Sequence, residues 1–342
     1  MKKAVTIRDI AREAGVSSAT VSRFLNRTGY VDQQTGARIS EVVERFHYRP
    51  SRIAQSLKTK MSRNLVLVVP DIQNPFYSSM ADKIQNLLLR EGYTVTLFDS
   101  GADFQRELTC LGLAESIGAD GILFASVWAR QTILNELAKI GVPVVMINSY
   151  GACPFDSVHG VRSQSTYLAT CHLIELGHRE IAFAGGTPET AIAQSRKNGY
   201  LKAMKEAGLP VRQEYVFEMG FDSESGRKCG TYFSALSQLP TAICCANDLI
   251  ALGVLQTLLE RGFRVPQDVS LTGVDNIEYS DLCSPTLTSV INDSGEFARL
   301  AVSALLERLR GSYKGEPREF LIPRRLVKRA STAQPQRKER QE

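Results

Sequence analysis

Histidine is scarce in this chain, with four in 342 residues, and the nearest pair, His172 and His178, lies six positions apart. Six residues do not bring two side chains back to one helix face. The shortage leaves little room for a metal site, or for a general base beside a serine or cysteine nucleophile. Seven cysteines, at 110, 153, 171, 229, 244, 245 and 283, include no C-x-x-C pair. Cys244 and Cys245 read as small core residues on a strand. An odd, scattered set with no apolar signal-peptide core before it fits reduced thiols in the cytoplasm. No run of 18 or more apolar residues occurs, so no membrane partner is expected. The sequence GGTP at 185–188 belongs to no G-x-G-x-x-G or phosphate-binding loop. Without a nucleophile–base–orienter set there is no catalytic residue to nominate, no enzyme is expected, and no cofactor or metal is called for.

Charge is present but unevenly placed. Residues 1–60 hold 12 basic and 5 acidic side chains, a net of +7. Residues 61–323 hold 22 basic and 29 acidic, a net of −7, and residues 324–342 hold 7 and 2, a net of +5. The positive potential therefore belongs to a short N-terminal segment, where it suits a phosphate backbone. With 43% hydrophobic residues the rest of the chain can bury a large core.

The most informative stretch is TIRDIAREAGVSSATVSRFLN at 6–26. Thr6 can cap a helix whose apolar positions Ile7, Ile10, Ala11 and Ala14 recur at helical spacing. Gly15-Val16 breaks it, and Ser17 can cap a second helix with Thr20 at its third position and Val21 and Leu25 inward. Helix, short glycine-containing turn and second helix make a helix-turn-helix, whose second helix enters the DNA major groove. Its outer face would carry Ser18, Ala19, Ser22, Arg23 and Asn26. A third helix is expected at about 33–46, capped by Asp32, with Ile39, Val42, Val43 and Phe46 as its apolar stripe, Gly36 weakening it and Pro50 stopping it.

This signature, continued by Tyr30-Val31 and YRPSRIAQSLK at 48–58, closely resembles the headpiece of the lactose-repressor (LacI/GalR) family of bacterial regulators. The resemblance runs to about residue 330. It implies a dimer on double-stranded, palindromic operator DNA, with Ser18, Ala19 and Arg23 reading bases and Thr6, Ser17, Thr20, Ser22 and Asn26 holding phosphates. Ile53, Ala54 and Leu57 fall on one face of a single helical turn, too short to persist alone. In the family such paired hinge turns enter the minor groove, and the resemblance implies that Leu57 wedges into the central base step. Tetrameric members use a C-terminal leucine heptad; STAQPQRKERQE at 331–342 has no Leu, Ile or Val. The expected assembly is a homodimer with a disordered tail at 332–342.

From Asn64 onward apolar strands alternate with amphipathic helices. The strands are placed at 65–69, 94–98, 121–125, 144–148, 181–185, 241–246, 269–274 and 287–291, and helices include 77–91, 163–177, 196–207 and 247–261. Such alternation implies parallel sheets covered on both faces, and the number of units implies two doubly wound α/β lobes. The family fold is a periplasmic-binding-protein-like pair of lobes. It would assign about 62–161 and 292–322 to the first lobe and about 162–291 and 323–331 to the second, after a headpiece at 1–49 and a hinge at 50–61.

Ligands bind outside the carboxyl ends of parallel strands. Asn74, Phe76 and Tyr77 follow the first strand and Asn148 the fourth. Thr190 follows the fifth, Arg196 opens the helix after it, and Phe221 sits in a GFDSESG turn. Asn247 follows the sixth strand, as a helix cap or a ligand contact, and Asp275 follows the seventh. Asp275 and Arg196 fall where effector contacts lie in ribose-, purine- and galactose-type family members. Phe76 and Phe221 read equally as core aromatics. Carboxylate, guanidinium, amides and rings together suit a polyhydroxylated effector such as a sugar, polyol or sugar acid. The expected protein is a cytoplasmic, nucleoid-associated repressor of a carbohydrate-utilisation operon. A purine or nucleoside effector is the alternative, and a sugar-binding module without DNA function is the alternative from another class.

Overall fold

A computed structural model describes residues 5–26, 29–48, 61–128, 131–148, 153–161 and 163–336. The chain divides into two compact units, Met1–Arg63 and Asn64–Glu342. The first holds α1 (Ile7–Ala14), α2 (Ser18–Asn26) and α3 (Gln33–Arg45). Thr6 and Asp9 form a reciprocal capping box at the start of α1, and Gly15 closes it with φ 66°. Ser17 Oγ accepts from the Thr20 amide at 3.1 Å and so starts α2. Ile10, Ala11, Ala14, Val21, Ile39 and Val42 form the small core. The third helix ends at Arg45, and His47 takes φ 47°, so the stop lies ahead of Pro50. Gly36 has a packing role besides its poor helix propensity: a Cβ there would lie 2.8 Å from Cε2 of Phe24.

The second unit is built on two six-stranded sheets. The first contains β1 (Asn64–Val69), β2 (Thr94–Asp99), β3 (Gly121–Ala125), β4 (Val144–Ile147), β5 (Asp156–Gly160) and β11 (Glu319–Ile322), in the order β11-β5-β4-β3-β1-β2. Every pairing in it is parallel. The second contains β6 (Ile181–Gly185), β7 (Val216–Glu218), β8 (Ala242–Cys245), β9 (Ser270–Asp275), β10 (Thr288–Ile291) and β12 (Leu326–Val327), in the order β12-β10-β9-β8-β6-β7. Only β12 runs antiparallel, against β10. The central strands are apolar throughout because both faces are covered, as parallel sheets require.

Helices α4 (Pro75–Arg90), α5 (Phe104–Ser116), α6 (Gln131–Ile140) and α12 (Ser294–Leu309) accompany the first sheet. The second is accompanied by α7 (Gln164–Glu175), α8 (Ala191–Glu206), α9 (Ser223–Ser234), α10 (Asp248–Glu260) and the short α11 (Tyr279–Leu282). The chain leaves the first sheet after β5, returns after β10 and leaves again after β11, so three segments cross between the lobes.

Two expectations need correction. A disordered tail is expected at 332–342, yet at its start the Ala333 amide donates to Ser270 Oγ at 3.0 Å; residues 337–342 lie outside the described residues. Thr332 Oγ1 lies 3.0 Å from His172 Nε2. Polar side chains on lobe 2 supply the partners that the apolar count of this segment did not suggest. The other is β5, which no apolar run announced. Its first residue, Asp156, is buried and receives Arg308 at 2.8 Å, Arg318 at 2.9 Å and the Arg318 amide at 2.8 Å.

Burial alone would raise the Asp156 carboxyl, but hydrogen bonds from Arg308 and Arg318 outweigh it and hold it at about 2. A depressed carboxyl stabilises the fold above its ordinary range, and that contribution disappears as pH falls toward 2. Asp156→Ala removes the acceptor shared by two largely buried guanidiniums, leaving Arg318 with Glu307 and Arg308 with the Gly315 and Glu316 carbonyls, and should cost about 3 kcal/mol at pH 7. In urea unfolding of wild type and variant, the difference should shrink as pH is lowered from 5 to 3. An unchanged midpoint at pH 7 would show that Asp156 does not hold β5 to α12 and β11.

Candidate nucleic-acid interface and ligand cleft

On the first unit, Ala19 and Arg23 are exposed on α2 and Ser18 is half-exposed beside them. Val21 faces the core on the opposite side. Ser17, Thr20, Ser22, Asn26 and Thr6 surround this face with hydrogen-bonding groups. Ser17 Oγ and Thr20 Oγ1 lie 2.9 Å apart, and one of the two hydroxyl protons stays available for an outside acceptor. Asn26 Nδ2 donates to the Ser22 carbonyl at 2.9 Å, which fixes its amide at the end of the helix. Thr6 is committed to Asp9 through Oγ1 at 2.7 Å. Ile53, Ala54 and Leu57 lie outside the described residues.

On the second unit, Asn74, Phe76, Tyr77, Asn148, Arg196, Phe221, Asn247 and Asp275 line one cavity, together with Pro70, Ala102, Val127, Ile192 and Asn292. Strand ends bring them together. Asn74 caps α4 by accepting from the Phe76 amide at 3.0 Å. Phe76 also packs edge-on against Phe297, so it is core and cavity wall at once. Asn148 follows β4 with φ 56°, buried, and its Oδ1 has no hydrogen-bond partner among the described residues. An unpaired buried acceptor costs about 1–3 kcal/mol, which a bound donor would recover.

Lobe 2 contributes the charged part. Arg196 does not open its helix: α8 begins at Ala191 under a Thr190 cap, and Arg196 lies in its second turn. Thr190 is used there, accepting from the Ala193 amide at 3.3 Å, and does not line the cavity. Arg196 donates to the Ala246 carbonyl at 2.6 Å and to Asp275 Oδ1 at 2.9 Å. Its guanidinium lies 5.6 Å from the Phe221 ring centre. Phe221 precedes α9, so the GFDSESG stretch is half loop and half helix, with Asp222 as the cap. Asn247 is the helix cap: Oδ1 caps α10 through the Ile250 amide at 2.8 Å, and Nδ2 is taken up by the Phe221 carbonyl at 2.7 Å while the residue lines the cavity.

Asp275 ends β9 with φ 107°, and Asn276 follows at φ 52°. Two consecutive non-glycine residues there store strain of about 1–3 kcal/mol each. The turn aims the carboxylate into the cavity, where Oδ1 takes Arg196 and the amide of Asn292 at 3.1 Å. Sequence reasoning missed Asn292, although it follows β10 and the strand-end rule reaches it. Val127 and Ile192 carried no signal, being ordinary apolar residues. The cavity encloses about 50 Å³, far less than the ~300 Å³ at which ligand sites begin. A hydrogen bond of 3.0 Å from the Ala191 amide in lobe 2 to the Val127 carbonyl in lobe 1 joins the lobes beside it. An adjoining open pocket of about 680 Å³ shares Phe76, Asp275 and Asn292 with it.

Residues 6–51 match the family described as bacterial regulatory proteins, lacI family, and residues 170–332 match a periplasmic binding protein-like domain. The HTH-type transcriptional repressor PurR of Aliivibrio salmonicida (strain LFI1238) is 33% identical over 328 residues, covering 95% of this chain and 98% of that protein. Among solved structures, a lac repressor dimer bound to operator and the anti-inducer ONPF superposes with a TM-score of 0.87 at 25% identity, covering 97% of this chain and 100% of that one. A LacI family regulator from Enterococcus faecium with bound ribose gives 0.72 at 26% identity, over 80% of this chain and 100% of that one.

The double use of Asn247 is open to test. Asn247→Ala removes the cap and the bond to Phe221, and should lower stability by about 1–2 kcal/mol. Asn247→Asp keeps the capping acceptor and should recover more than half of that loss in thermal unfolding. Equal losses in the two variants would mean that the cap contributes little.

Proposed function

The chain belongs to the lacI family of bacterial regulatory proteins and is a DNA-binding transcriptional regulator, and from that we propose a repressor whose effector is a small polyhydroxylated molecule. The observation that carries the effector reading is the set of acceptors around the cleft. Among the described residues, Asn148 Oδ1 on lobe 1 is buried and unpaired, while Asp275 on lobe 2 has hydrogen bonds to Oδ1 only. Hydroxyl groups donate to both, and Phe76, Tyr77 and Phe221 cover an apolar sugar face. The ribose bound to the Enterococcus faecium regulator is consistent with this chemistry. The regulated genes would then serve carbohydrate use. A purine or nucleoside effector is the second reading, favoured by the PurR relative and by three rings able to stack on a base.

In this reading a homodimer binds a palindromic operator. Ser18, Ala19 and Arg23 contact base edges, Ser17, Thr20, Ser22 and Asn26 contact phosphates, Thr6 does so by exchanging a bond to Asp9 for a phosphate oxygen, and the hinge at Ile53, Ala54 and Leu57 enters the minor groove. The exposure of Ala19 and Arg23 beside hydroxyl groups on one helix face supports that division.

A thermal-shift panel of monosaccharides, polyols, sugar acids, purines and nucleosides separates the effector readings. At least one hydroxylated non-purine compound should raise the melting temperature of the wild-type protein; stabilisation by purines alone would overturn the sugar reading. For DNA, a bidentate Arg–base contact is worth about 1–3 kcal/mol. Arg23→Ala should therefore lose roughly tenfold or more on operator fragments from the upstream region of its own gene. Binding to random DNA, with its steep salt dependence, should be kept. Equal loss on both would make Arg23 a phosphate contact.

A further inference from the structure

Behind the cleft, next in sequence to Asn247, lies a buried acid that does not itself line it. Asp248, the first residue of α10, is fully buried. Its Oδ2 accepts from the Ile277 amide at 2.9 Å and from Ser280 Oγ at 2.8 Å, and its Oδ1 from Ser289 Oγ at 2.6 Å. Ser289 Oγ in turn accepts from the Asn276 amide at 3.0 Å. The amides of both residues after Asp275 are thus held, directly or through one hydroxyl, by a single carboxylate. Gly273 on β9 makes room for it, since a Cβ there would lie 2.1 Å from Asp248 Oδ1. From the far side Arg329 donates to Asn276 Oδ1 at 2.7 Å.

We propose that Asp248 is a positioning residue for effector recognition, its carboxylate holding the left-handed turn that aims Asp275 into the cleft. The proposal rests on reading that cleft as the effector site. A turn with φ 107° and 52° at Asp and Asn relaxes unless its surroundings hold it. Relaxation would swing the Asp275 carboxylate away from Arg196 and from whatever the cleft binds.

The pinning group is itself titratable. Burial, and then the Asp275 charge, push the Asp248 carboxyl up to about 7, against the hydrogen bonds from Ser289, Ile277 and Ser280. The other ionisable groups around it are the Asp275–Arg196 pair across the turn, the thiols of Cys245 and Cys283, and Arg329 on the C-terminal segment. Both thiols are pushed upward by burial and stay neutral through this range. A proton on Asp248 turns an acceptor into a donor facing the hydroxyls of Ser280 and Ser289, and so loosens the turn. Effector affinity should fall as pH drops below about 7.

The test takes the panel compound with the largest thermal shift on wild-type protein and measures its Kd by calorimetry from pH 8 to pH 6. Wild type should weaken about tenfold over that span, as expected for a site that binds only the deprotonated form. Asp248→Asn should bind at least tenfold more weakly at pH 8, with a flat pH profile and faster amide exchange at residues 276 and 277. Operator binding should be retained. If Asp248→Asn does not fold, Ser280→Ala and Ser289→Ala each remove one donor and should weaken binding severalfold. Wild-type affinity in Asp248→Asn, or in both serine variants, overturns the positioning role, as does a wild-type profile that is flat in pH. Asp275→Asn is the control: if it keeps full affinity, the cleft is not the effector site and the failure belongs to that earlier reading.

Discussion

The second unit is organised around one buried ion pair, Arg196 with Asp275 at 2.9 Å. Both side chains are less than a tenth exposed. A charge in that position is costly unless its remaining hydrogen-bonding groups are also satisfied. The surroundings meet that requirement for Arg196 and for one carboxylate oxygen: the Ala246 carbonyl takes a second Arg196 nitrogen, and Asn292 donates to Asp275 Oδ1. Asn292 also accepts from Arg324, so two of the three crossing segments meet at this pair. The ends of β9 and β10, the helix α8 and the lobe junction are therefore coupled through a few polar contacts. A ligand that reaches Asp275 Oδ2 acts where the lobes are joined.

The first unit depends on simpler physics. Its core is six small and branched apolar residues, and its helices are fixed by caps a few residues away in sequence. With a net charge of +7 over residues 1–60, its hold on DNA is expected to be largely electrostatic and steeply salt-dependent. In the proposed reading, selectivity comes from the few side chains that α2 presents, Arg23 foremost.

That difference decides how much was legible in the sequence. The cap at Thr6, the break at Gly15 and the cap at Ser17 are local, and the structure places them where their spacing does. Apolar strands such as Leu65–Val69 were equally plain. By contrast β5 reads DSVHG and owes its place to Arg308 and Arg318, 152 and 162 residues away. Thr190 looked like a cleft residue because caps and ligand contacts both favour hydroxyls at strand ends. Asp248 looked like the first residue of an ordinary helix. Its work is done on Ile277, Ser280 and Ser289, and no pattern within one segment reveals that.

The claim that Asp275 connects ligand occupancy to DNA binding has a direct test. Operator affinity is measured with and without a saturating concentration of a compound that stabilises the wild-type protein, in wild type and in Asp275→Asn. Coupling between sites is the ratio of the two affinities, and it holds whichever direction the compound acts. The account predicts a change of about tenfold or more in wild type and a ratio near one in Asp275→Asn, with the ligand-free operator affinity preserved. A variant that keeps the full wild-type ratio would contradict it.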